Sequence, residues 1–333
     1  MFNFTGMSLM NEAISVIIPA YNEEDGIINV INDLKKVLNN AKIEHEIIII
    51  DDGSKDKTVE RAGTTDAIVV QHLKNRGYGA ALKTGINIAK NELIVITDAD
   101  NTYPASQIPK MLEHIQEADM VVGSRQGENV AIPLIRRPAK WILRKLAEYV
   151  TGEKIPDLNS GLRIFRRELI MQYLNILSDR FSFTTTSTVA FLSDNYKVIY
   201  IPIDYYQRAG KSKIVPWNFI EFMNLVIRLS MLFNPLKIFI PASMLTLILG
   251  GIKFIFDVIM AVEEAGGITF TFLTSKVVSS SVLILWFSGL QILLIGMMAD
   301  GINRKIAQYS IPKAKSYSKQ TVRIYNQGQN NKP

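Results

Sequence analysis

The chain contains no cysteine and only three histidines among its 333 residues. The absence of cysteine excludes disulfides, thiolate metal sites and cysteine-based redox chemistry. His45, His72 and His114 are widely spaced, which argues against a zinc site built from a histidine cluster. Residues 1–13 lack a continuous apolar core, so we expect an N-terminal extension there rather than a cleaved signal peptide.

The balance of charge is basic, but it does not by itself select a partner. The formal net charge is +6 at pH 7. A nucleic acid, an anionic lipid surface and a phosphorylated substrate would each complement such an excess of lysine and arginine. Only the positions of individual residues in the sequence can distinguish these three classes of partner.

Apolar runs alternate with helical patterns through the first two-thirds of the chain, as is typical of an α/β protein. The pattern predicts strands at residues 14–19, 46–50, 67–71, 93–97 and 119–123. It predicts helices at residues 24–38, 57–62, 79–90 and 108–118. The strands are almost continuously apolar, which fits burial on both faces of a mainly parallel sheet. We therefore expect residues 14–215 to form a three-layer, Rossmann-like α/β domain.

Polar clusters follow the predicted strands at the point where each strand ends. They comprise residues 21–23, 51–52, 75–77, 98–100 and 124–125. Ligands of such sheets bind beyond the carboxyl ends of the strands, so these clusters are expected to share one site. Asp98 and Asp100 offer the oxygen ligands that a divalent cation takes alongside substrate phosphates. An ordinary turn would also account for these two acids, because aspartate is common after strands.

The last third of the chain holds two long apolar stretches, at residues 238–262 and 277–299. Each is long enough to cross a bilayer, which takes about 20 residues. The first contains Lys253 and Asp257, four positions apart on one helical face, and a buried core helix is the alternative for it. The basic tail at residues 300–333 predicts, by the positive-inside rule, that the tail and the α/β domain are cytoplasmic.

Two other segments have the composition of helices that lie on a membrane surface. Residues 132–150 contain five basic side chains among apolar ones. We predict an interfacial basic helix there, with a solvated helix packed on the domain as the alternative. Residues 216–233 are mostly apolar and precede the first long stretch, where a juxtamembrane amphipathic helix would lie.

Residues 75–79 form a glycine-rich turn before a predicted helix. The dinucleotide-binding fingerprint belongs after the first strand, whereas this turn follows the third, which disfavours a nicotinamide-dependent dehydrogenase. The ordered segments PAYNE, IIIIDDGS, KNRGYGAALKTGI, ITDAD, VVGSR and DLNSGLRIFRREL resemble the family 2 glycosyltransferases of the GT-A fold. Within that family the chain is most similar to polyprenyl-phosphate sugar synthases such as the dolichol-phosphate mannose synthases.

The resemblance implies roles for residues at the first, second and fourth strand ends. The positions that match the nucleoside site of the family are Pro19, Tyr21, Glu23, Ile50 and Asp52. Asp98, Ala99 and Asp100 match the segment that holds the nucleotide-sugar and a Mg²⁺ or Mn²⁺ ion, with Asp100 as a direct ligand. Mannose synthases carry a further glutamine ligand where this chain has Thr102, which makes Thr102 a candidate ligand and leaves the donor sugar open.

The resemblance also implies cationic groups around the transferred sugar. Arg125 matches an arginine that faces the donor, and Arg208 and Lys213 match a basic pair that contacts the donor and acceptor phosphates. The spacing of this basic pair is one residue shorter than in the mannose synthases. Asp157 is a candidate for orienting the acceptor or a sugar hydroxyl, and a turn cap is its alternative role.

Taken with the apolar stretches, the resemblance implies a membrane-bound, metal-dependent, inverting glycosyltransferase. Its expected partners are a nucleotide-sugar donor, a polyprenyl phosphate acceptor and the membrane, with no nucleic acid and a possible homo-oligomer. GDP-mannose is the first expectation for the donor and UDP-glucose the second. A glycolipid or polysaccharide acceptor is one alternative, and a membrane scaffold with an inactive transferase domain is another.

Overall fold

A computed structural model describes residues 12–130, 137–180, 182–206, 227, 230–231, 233–264, 278–309 and 322–325. The chain divides into two compact units. The larger unit comprises Met1–Val226 and Ile311–Pro333, and the smaller unit comprises Ile227–Ser310. The sequence predictions for residues 1–11, 132–136 and 207–226, and for most of the tail, lie outside the described residues.

The larger unit is built on one mixed sheet. Its strands are β1 (Ile14–Ala20), β2 (His45–Asp51), β3 (Ile68–His72), β4 (Leu93–Ile96), β5 (Met120–Val130), β6 (Arg163–Arg166), β7 (Val198–Tyr205) and β8 (Val322–Tyr325). Within the described ranges the strands follow the order β7-β5-β6-β4-β1-β2-β3-β8. Strands β4, β1, β2 and β3 are mutually parallel, as are β5 and β7. The predicted α/β fold with a mainly parallel sheet is therefore confirmed.

Helices connect these strands in the way that the sequence pattern indicates. They are α1 (Ile27–Asn40), α2 (Thr58–Gly63), α3 (Tyr78–Ile88), α4 (Gln107–Leu112), α5 (Arg137–Thr151), α6 (Arg167–Tyr173) and α7 (Phe183–Ser193). Helix α1 buries Ile27, Ile31, Leu34 and Leu38 on one face, as their helical spacing predicts. Helix α4 ends six residues earlier than predicted, and β5 runs seven residues beyond its predicted end.

The central strands form the core of this unit. All seven residues of β1 and all four of β4 are buried, because each strand has sheet neighbours on both edges and packed layers on both faces. The carboxyl ends of β1, β2, β3 and β4 consequently lie along the same edge of the sheet. The polar residues that follow them are brought to one place by this topology.

Strand β6 was not predicted, and neither were β7 and β8. Strand β6 lies antiparallel between β4 and β5, so the sheet is mixed at this side. Arginines stand at both ends of its four residues, which hides a buried strand from any test of apolar continuity. Arg163 is nevertheless fully buried, where its guanidinium donates to the carbonyl oxygens of Leu158 and Ser160 and to the hydroxyl of Thr188.

Helix α5 has one face packed on the larger unit and another face exposed. Leu143, Ala147 and Val150 are buried, and the helix contacts α7, so one face packs on the unit. Trp141 and Tyr149 are 55% and 52% exposed on the other face. Aromatic side chains with one polar end are favoured at a membrane–water interface, and this exposed face keeps the interfacial helix a prediction.

The smaller unit contains two long apolar helices that pack antiparallel to each other, α8 (Leu236–Glu264) and α9 (Ser280–Tyr309). Both are long and apolar enough to cross a membrane. Only 11% of the most apolar segment of α8 and 17% of that of α9 are buried. The contact between them uses small groups: Gly250 faces Trp286, and the Ser243 hydroxyl donates to the carbonyl of Gly289. Lys253 and Asp257 are ion-paired, as their spacing predicts.

Candidate active site

A cavity of about 450 Å³ opens where β1, β2, β3 and β4 end. Its walls are formed by Pro19, Ala20, Tyr21, Glu23, Asp52, Asn75, Arg76, Gly77, Tyr78, Ala81, Asp98, Ala99, Asp100 and Arg180. The volume lies in the range of sites that hold a drug-sized ligand or cofactor. Four of the five polar clusters that were expected to share a site contribute to this cavity.

The first two loops of the cavity are tied to each other by hydrogen bonds between main chain and side chains. The backbone amide of Asn22 donates to the Ser54 hydroxyl at 2.8 Å, and the amide of Lys55 donates to Asn22 Oδ1 at 2.9 Å. The amide of Glu23 donates to Thr58 Oγ1 at 2.9 Å. These bonds hold the segment that presents Tyr21 and Glu23 to the cavity.

Asp52 organises the turn between β3 and α3. Its carboxylate accepts from the backbone amides of Arg76 at 2.9 Å and Gly77 at 2.7 Å, and Oδ1 lies 2.7 Å from His72 Nδ1. The other ring nitrogen of His72 lies 2.9 Å from the Thr84 hydroxyl. Asp52 is 3% exposed. It therefore fixes the turn that forms one wall of the cavity, in addition to any contact with a ligand.

Asp98 is held between a hydroxyl group and a glycine. The Tyr78 hydroxyl donates to Asp98 Oδ1 at 2.9 Å. Burial, followed by the negative charge of Asp98, raises the pKa of Tyr78 well above its ordinary value, so this hydroxyl remains a donor. A Cβ atom on Gly161 would lie 2.7 Å from Asp98 Oδ2, which leaves room only for glycine at that position. Asp98 thus has a defined orientation at the cavity wall.

Asp100 is oriented by its near neighbour Thr102. The Thr102 hydroxyl donates to Asp100 Oδ1 at 2.6 Å, and the Thr102 backbone amide reaches the same oxygen at 3.2 Å. Thr102 is fully buried and does not line the cavity. The structure therefore shows Thr102 as a hydrogen-bond partner of Asp100, and its assignment as a metal ligand stays a prediction.

Arg125 and Asp157 form a closed ion pair. Arg125 Nε and one terminal nitrogen each lie 2.7 Å from an oxygen of Asp157, and the Arg125 amide donates to Oδ2 at 3.1 Å. The two side chains are 12% and 11% exposed, and neither lines the cavity. Burial alone would raise the pKa of Asp157, but the hydrogen bonds and charge of Arg125 hold it below its usual value.

The structure adds cavity residues that the sequence did not single out. Tyr78 and Ala81 belong to the first turns of α3, and Arg180 follows α6 in the chain. Tyr78 had a usable signal, because it stands next to the glycine-rich turn at a strand end. Arg180 had none, since its position depends on packing of the segment between α6 and α7.

Besides Thr102, Arg125 and Asp157, three further predicted site residues are absent from the cavity walls that the structure describes. Ile50 is fully buried inside β2 and supports the site from within the sheet. Arg208 and Lys213, the predicted basic pair, lie outside the described residues. Their contact with phosphates stays a prediction.

The fold and this cavity agree with a match to a protein family. The family model described as glycosyl transferase family 2 matches residues 15–174. An uncharacterised protein of Methanocaldococcus jannaschii is 32% identical over 201 residues, which cover 58% of this chain and 81% of that protein. The chain belongs to glycosyl transferase family 2 and is a glycosyltransferase.

Named relatives include enzymes of lipid-linked sugar metabolism. A dolichyl-phosphate hexose transferase of Haloferax volcanii is 28% identical over 206 residues, covering 61% of this chain and 87% of that protein. An undecaprenyl-phosphate 4-deoxy-4-formamido-L-arabinose transferase of Aeromonas hydrophila is 27% identical over 307 residues. That alignment covers 87% of this chain and 88% of the relative.

Solved structures with the same fold include glucosyl-3-phosphoglycerate synthase of Mycobacterium tuberculosis. Its complex with Mn²⁺, UDP and phosphoglyceric acid is 18% identical with a TM-score of 0.54, covering 66% of this chain and 79% of that chain. A complex of the same enzyme with Mn²⁺, UDP-glucose and phosphoglyceric acid gives the same TM-score. At this identity the likeness concerns the fold, which is of the GT-A type.

Proposed function

We propose that this glycosyltransferase moves a hexose from a nucleotide-sugar to a polyprenyl phosphate, with inversion at the anomeric carbon. The observation that carries the proposal is one cavity that joins Tyr21 and Glu23 to the oriented carboxylates of Asp98 and Asp100. Two helices that could cross a membrane support a lipid acceptor. The names of two relatives, which specify dolichyl and undecaprenyl phosphate, support it further.

The donor would lie along the edge of the sheet, with its nucleoside towards β1 and β2. Tyr21 would offer an aromatic face to the base, and Glu23 would accept hydrogen bonds from the ribose or base. Asp52 is already bonded to two backbone amides, so its part in donor binding would be to hold the turn at Arg76. The sugar and diphosphate would then reach Asp98 and Asp100.

The chemistry of the donor set fits a divalent cation at Asp98 and Asp100. Mg²⁺ is usually bound through one or two carboxylates plus substrate phosphates and water, and these two acids are one residue apart and each held by a hydroxyl. Among the residues that the structure describes, no three histidine, aspartate or glutamate side chains are placed so that they alone could hold a metal ion. The donor diphosphate would therefore complete the coordination. A bound Mg²⁺ or Mn²⁺ would supply positive charge opposite the leaving diphosphate.

The acceptor can attack without a protein base. The second pKa of a phosphate monoester is about 6, so the head of a polyprenyl phosphate is mostly dianionic at neutral pH. One of its oxygens forms the new bond to the anomeric carbon while the bond to the donor diphosphate breaks, which inverts the configuration. His72, the histidine nearest to the cavity in the described sheet, is bonded to Asp52 and Thr84 and is not needed for this step. Arg208 and Lys213 are proposed to contact the phosphates, as the family resemblance implies.

The finer assignments rest on resemblance and charge. GDP-mannose is the first proposed donor and UDP-glucose the second. The basic residues of the tail support a cytoplasmic location for the tail and the α/β unit. The exposed Trp141 and Tyr149 of α5 support its proposed position at the headgroup layer.

The decisive experiment offers the purified full chain a panel of GDP- and UDP-sugars, a short polyprenyl phosphate, and Mg²⁺ or Mn²⁺. We expect one donor to yield a sugar-phosphoryl lipid of inverted anomeric configuration. A metal chelator should prevent the formation of this product. The Asp100→Asn variant, in which the carboxylate is lost with little change in shape, serves as the inactive control. If no donor yields this product while a glycolipid or polysaccharide acceptor does, the proposed acceptor is wrong.

A further inference from the structure

The segment that connects α6 to α7 packs tightly against the start of α3. The backbone amide of Ala80 donates to the carbonyl oxygen of Asp179 at 2.9 Å, so this carbonyl satisfies one of the open amides of the first helical turn. A Cβ atom on Gly79 would overlap the carbonyl oxygen of Ser178. Glycine at position 79 is therefore what lets the two backbones approach this closely.

A lysine of α3 fastens the same segment from the side. Lys83 Nζ donates to the carbonyl oxygen of Leu177 and to Asp179 Oδ1, both at 2.5 Å. Lys83 is only 8% exposed, and a buried ammonium needs such partners to offset its desolvation. Three contacts from α3, at Gly79, Ala80 and Lys83, thus determine where residues 177–180 lie.

This placement brings Arg180 to the cavity wall. Its backbone is held by a bond from its amide to Ser178 Oγ at 3.1 Å and by a bond from the Phe183 amide to its carbonyl at 3.3 Å. Its guanidinium forms no hydrogen bond or ion pair with any residue in the described part of the chain. The backbone of Arg180 is therefore fixed at the cavity wall, while its guanidinium has no hydrogen-bond or ion-pair partner among the described residues.

The charge of the cavity indicates which part of a ligand Arg180 meets. Asp98 and Asp100 stand on the β4 side, whereas Arg180 is attached to α3, next to the turn that carries Arg76 and Gly77. A diphosphate between these two sides would meet carboxylate-bound metal on one side and a guanidinium on the other. Arginine suits this contact because its planar donors match phosphate oxygens.

We infer that Arg180 binds the diphosphate of the nucleotide-sugar, and that the ion pair of Lys83 with Asp179 is a positioning device for it. The inference rests on the proposed function in so far as that function supplies a nucleotide diphosphate as ligand. It commits to the donor and not to the phosphate of the lipid acceptor.

The test measures nucleotide binding to the full chain in detergent by calorimetry, with Mg²⁺ or Mn²⁺ present and no lipid acceptor. UDP and GDP are compared with the matching monophosphates and nucleosides. We expect Arg180→Ala to weaken diphosphate binding about tenfold, Arg180→Lys to weaken it less, and nucleoside binding to stay unchanged. Lys197→Ala, which removes an exposed cation on the turn before β7, should bind like the wild type.

Three results would overturn the assignment of Arg180. Unchanged diphosphate affinity in Arg180→Ala would remove it from the donor site. An equal loss for nucleoside and diphosphate would place it at the base. Unchanged nucleotide binding together with a raised KM for the lipid would assign it to the acceptor.

The positioning role of Lys83 is tested by a double-mutant cycle. Lys83→Met keeps a long apolar side chain but removes the bonds to Leu177 and Asp179, and we expect it to weaken diphosphate binding several-fold. If Lys83 acts through Arg180, the double variant should bind no more weakly than Arg180→Ala alone. Additive losses would refute the positioning role. Thermal unfolding of each variant shows whether the protein is still folded.

The outcome also separates this inference from the proposed function. If the wild type binds a nucleoside diphosphate through Arg180 but forms no product with any polyprenyl phosphate, the acceptor proposal fails and the Arg180 assignment stands. If product forms and Arg180→Ala binds the donor normally, only the assignment fails. If the wild type binds neither UDP nor GDP, both are wrong.

Discussion

Two pairs of charged residues differ in what stabilises their buried or half-buried carboxylates. Asp98 and Asp100 line the cavity, and each accepts a hydrogen bond from a hydroxyl, of Tyr78 and Thr102 respectively. Asp157 is instead neutralised by the guanidinium of Arg125 and lies away from the cavity wall. A hydroxyl orients a carboxylate and leaves its negative charge in place. An arginine orients the carboxylate and also neutralises its charge. The first pair is therefore suited to holding a cation, and the second to holding the fold.

One short stretch of chain serves both pairs. Asp157 starts it, and Gly161 ends it against the carboxylate of Asp98. Two residues beyond this stretch, the buried guanidinium of Arg163 donates to two carbonyl oxygens within it, those of Leu158 and Ser160. The closed ion pair and Arg163 thus fix the backbone that limits the position of Asp98. The comparison predicts that damage to the first pair removes activity, while damage to the second removes stability.

The largest expected effect is on activity, from Asp100→Asn. The variant keeps the shape of the side chain but loses the charge that would bind the metal, so we expect sugar transfer to fall by about 1,000-fold. The thermal unfolding temperature should stay close to that of the wild type, because asparagine keeps an oxygen that can accept the hydrogen bond from the Thr102 hydroxyl. Activity near the wild-type level with metal present would show that the carboxylate of Asp100 does not serve the reaction.

The next effect is on stability, from Asp157→Ala. This change leaves Arg125 buried without its carboxylate, and breaking such a pair typically costs about 3 kcal/mol or more. For a unit of this size the unfolding temperature should drop by about 6–12 °C.

A second variant separates charge from packing at this site. The double change Arg125→Met with Asp157→Leu removes both charges and should recover most of the lost unfolding temperature. An Asp157→Ala variant that is as stable as the wild type but inactive would reverse the assignment, and would indicate that Asp157 acts on a substrate.

The ion pair also predicts a dependence of stability on pH. The pKa of Asp157 is below its ordinary value in the folded protein, so its contribution is present above the unfolded-state pKa of about 4 and is lost as pH falls through the folded value. Unfolding temperatures measured between about pH 6 and pH 3 should fall less steeply in Asp157→Asn than in the wild type. Parallel curves for the two proteins would contradict this contribution.

The sequence predicted the edge of the sheet much better than the partners of individual side chains. Apolar continuity identifies β1 and β2, and parallel topology then brings the residues after them together. The bond from Tyr78 to Asp98 spans 20 positions, and the pair of Arg125 with Asp157 spans 32. The second pair depends on how β6 inserts between β4 and β5, because Asp157 lies in the segment that leads into β6. Nothing local in a four-residue strand with an arginine at each end reveals that insertion.

The smallest expected effects come from removing the two hydroxyl groups that orient Asp98 and Asp100. These variants test whether the orientation of the two carboxylates matters for activity. Thr102→Val removes a 2.6 Å bond to Asp100 while keeping the branched shape, and Tyr78→Phe removes a 2.9 Å bond to Asp98. A shorter bond to a charged oxygen is the stronger one, so we expect Thr102→Val to raise the metal concentration for half-maximal activity about tenfold and Tyr78→Phe to raise it less. Full recovery of the maximal rate of Thr102→Val at high metal concentration would show that the hydroxyl serves metal binding and not the transfer step. An unchanged metal requirement in both variants would show that orientation of Asp98 and Asp100 by these hydroxyls does not matter.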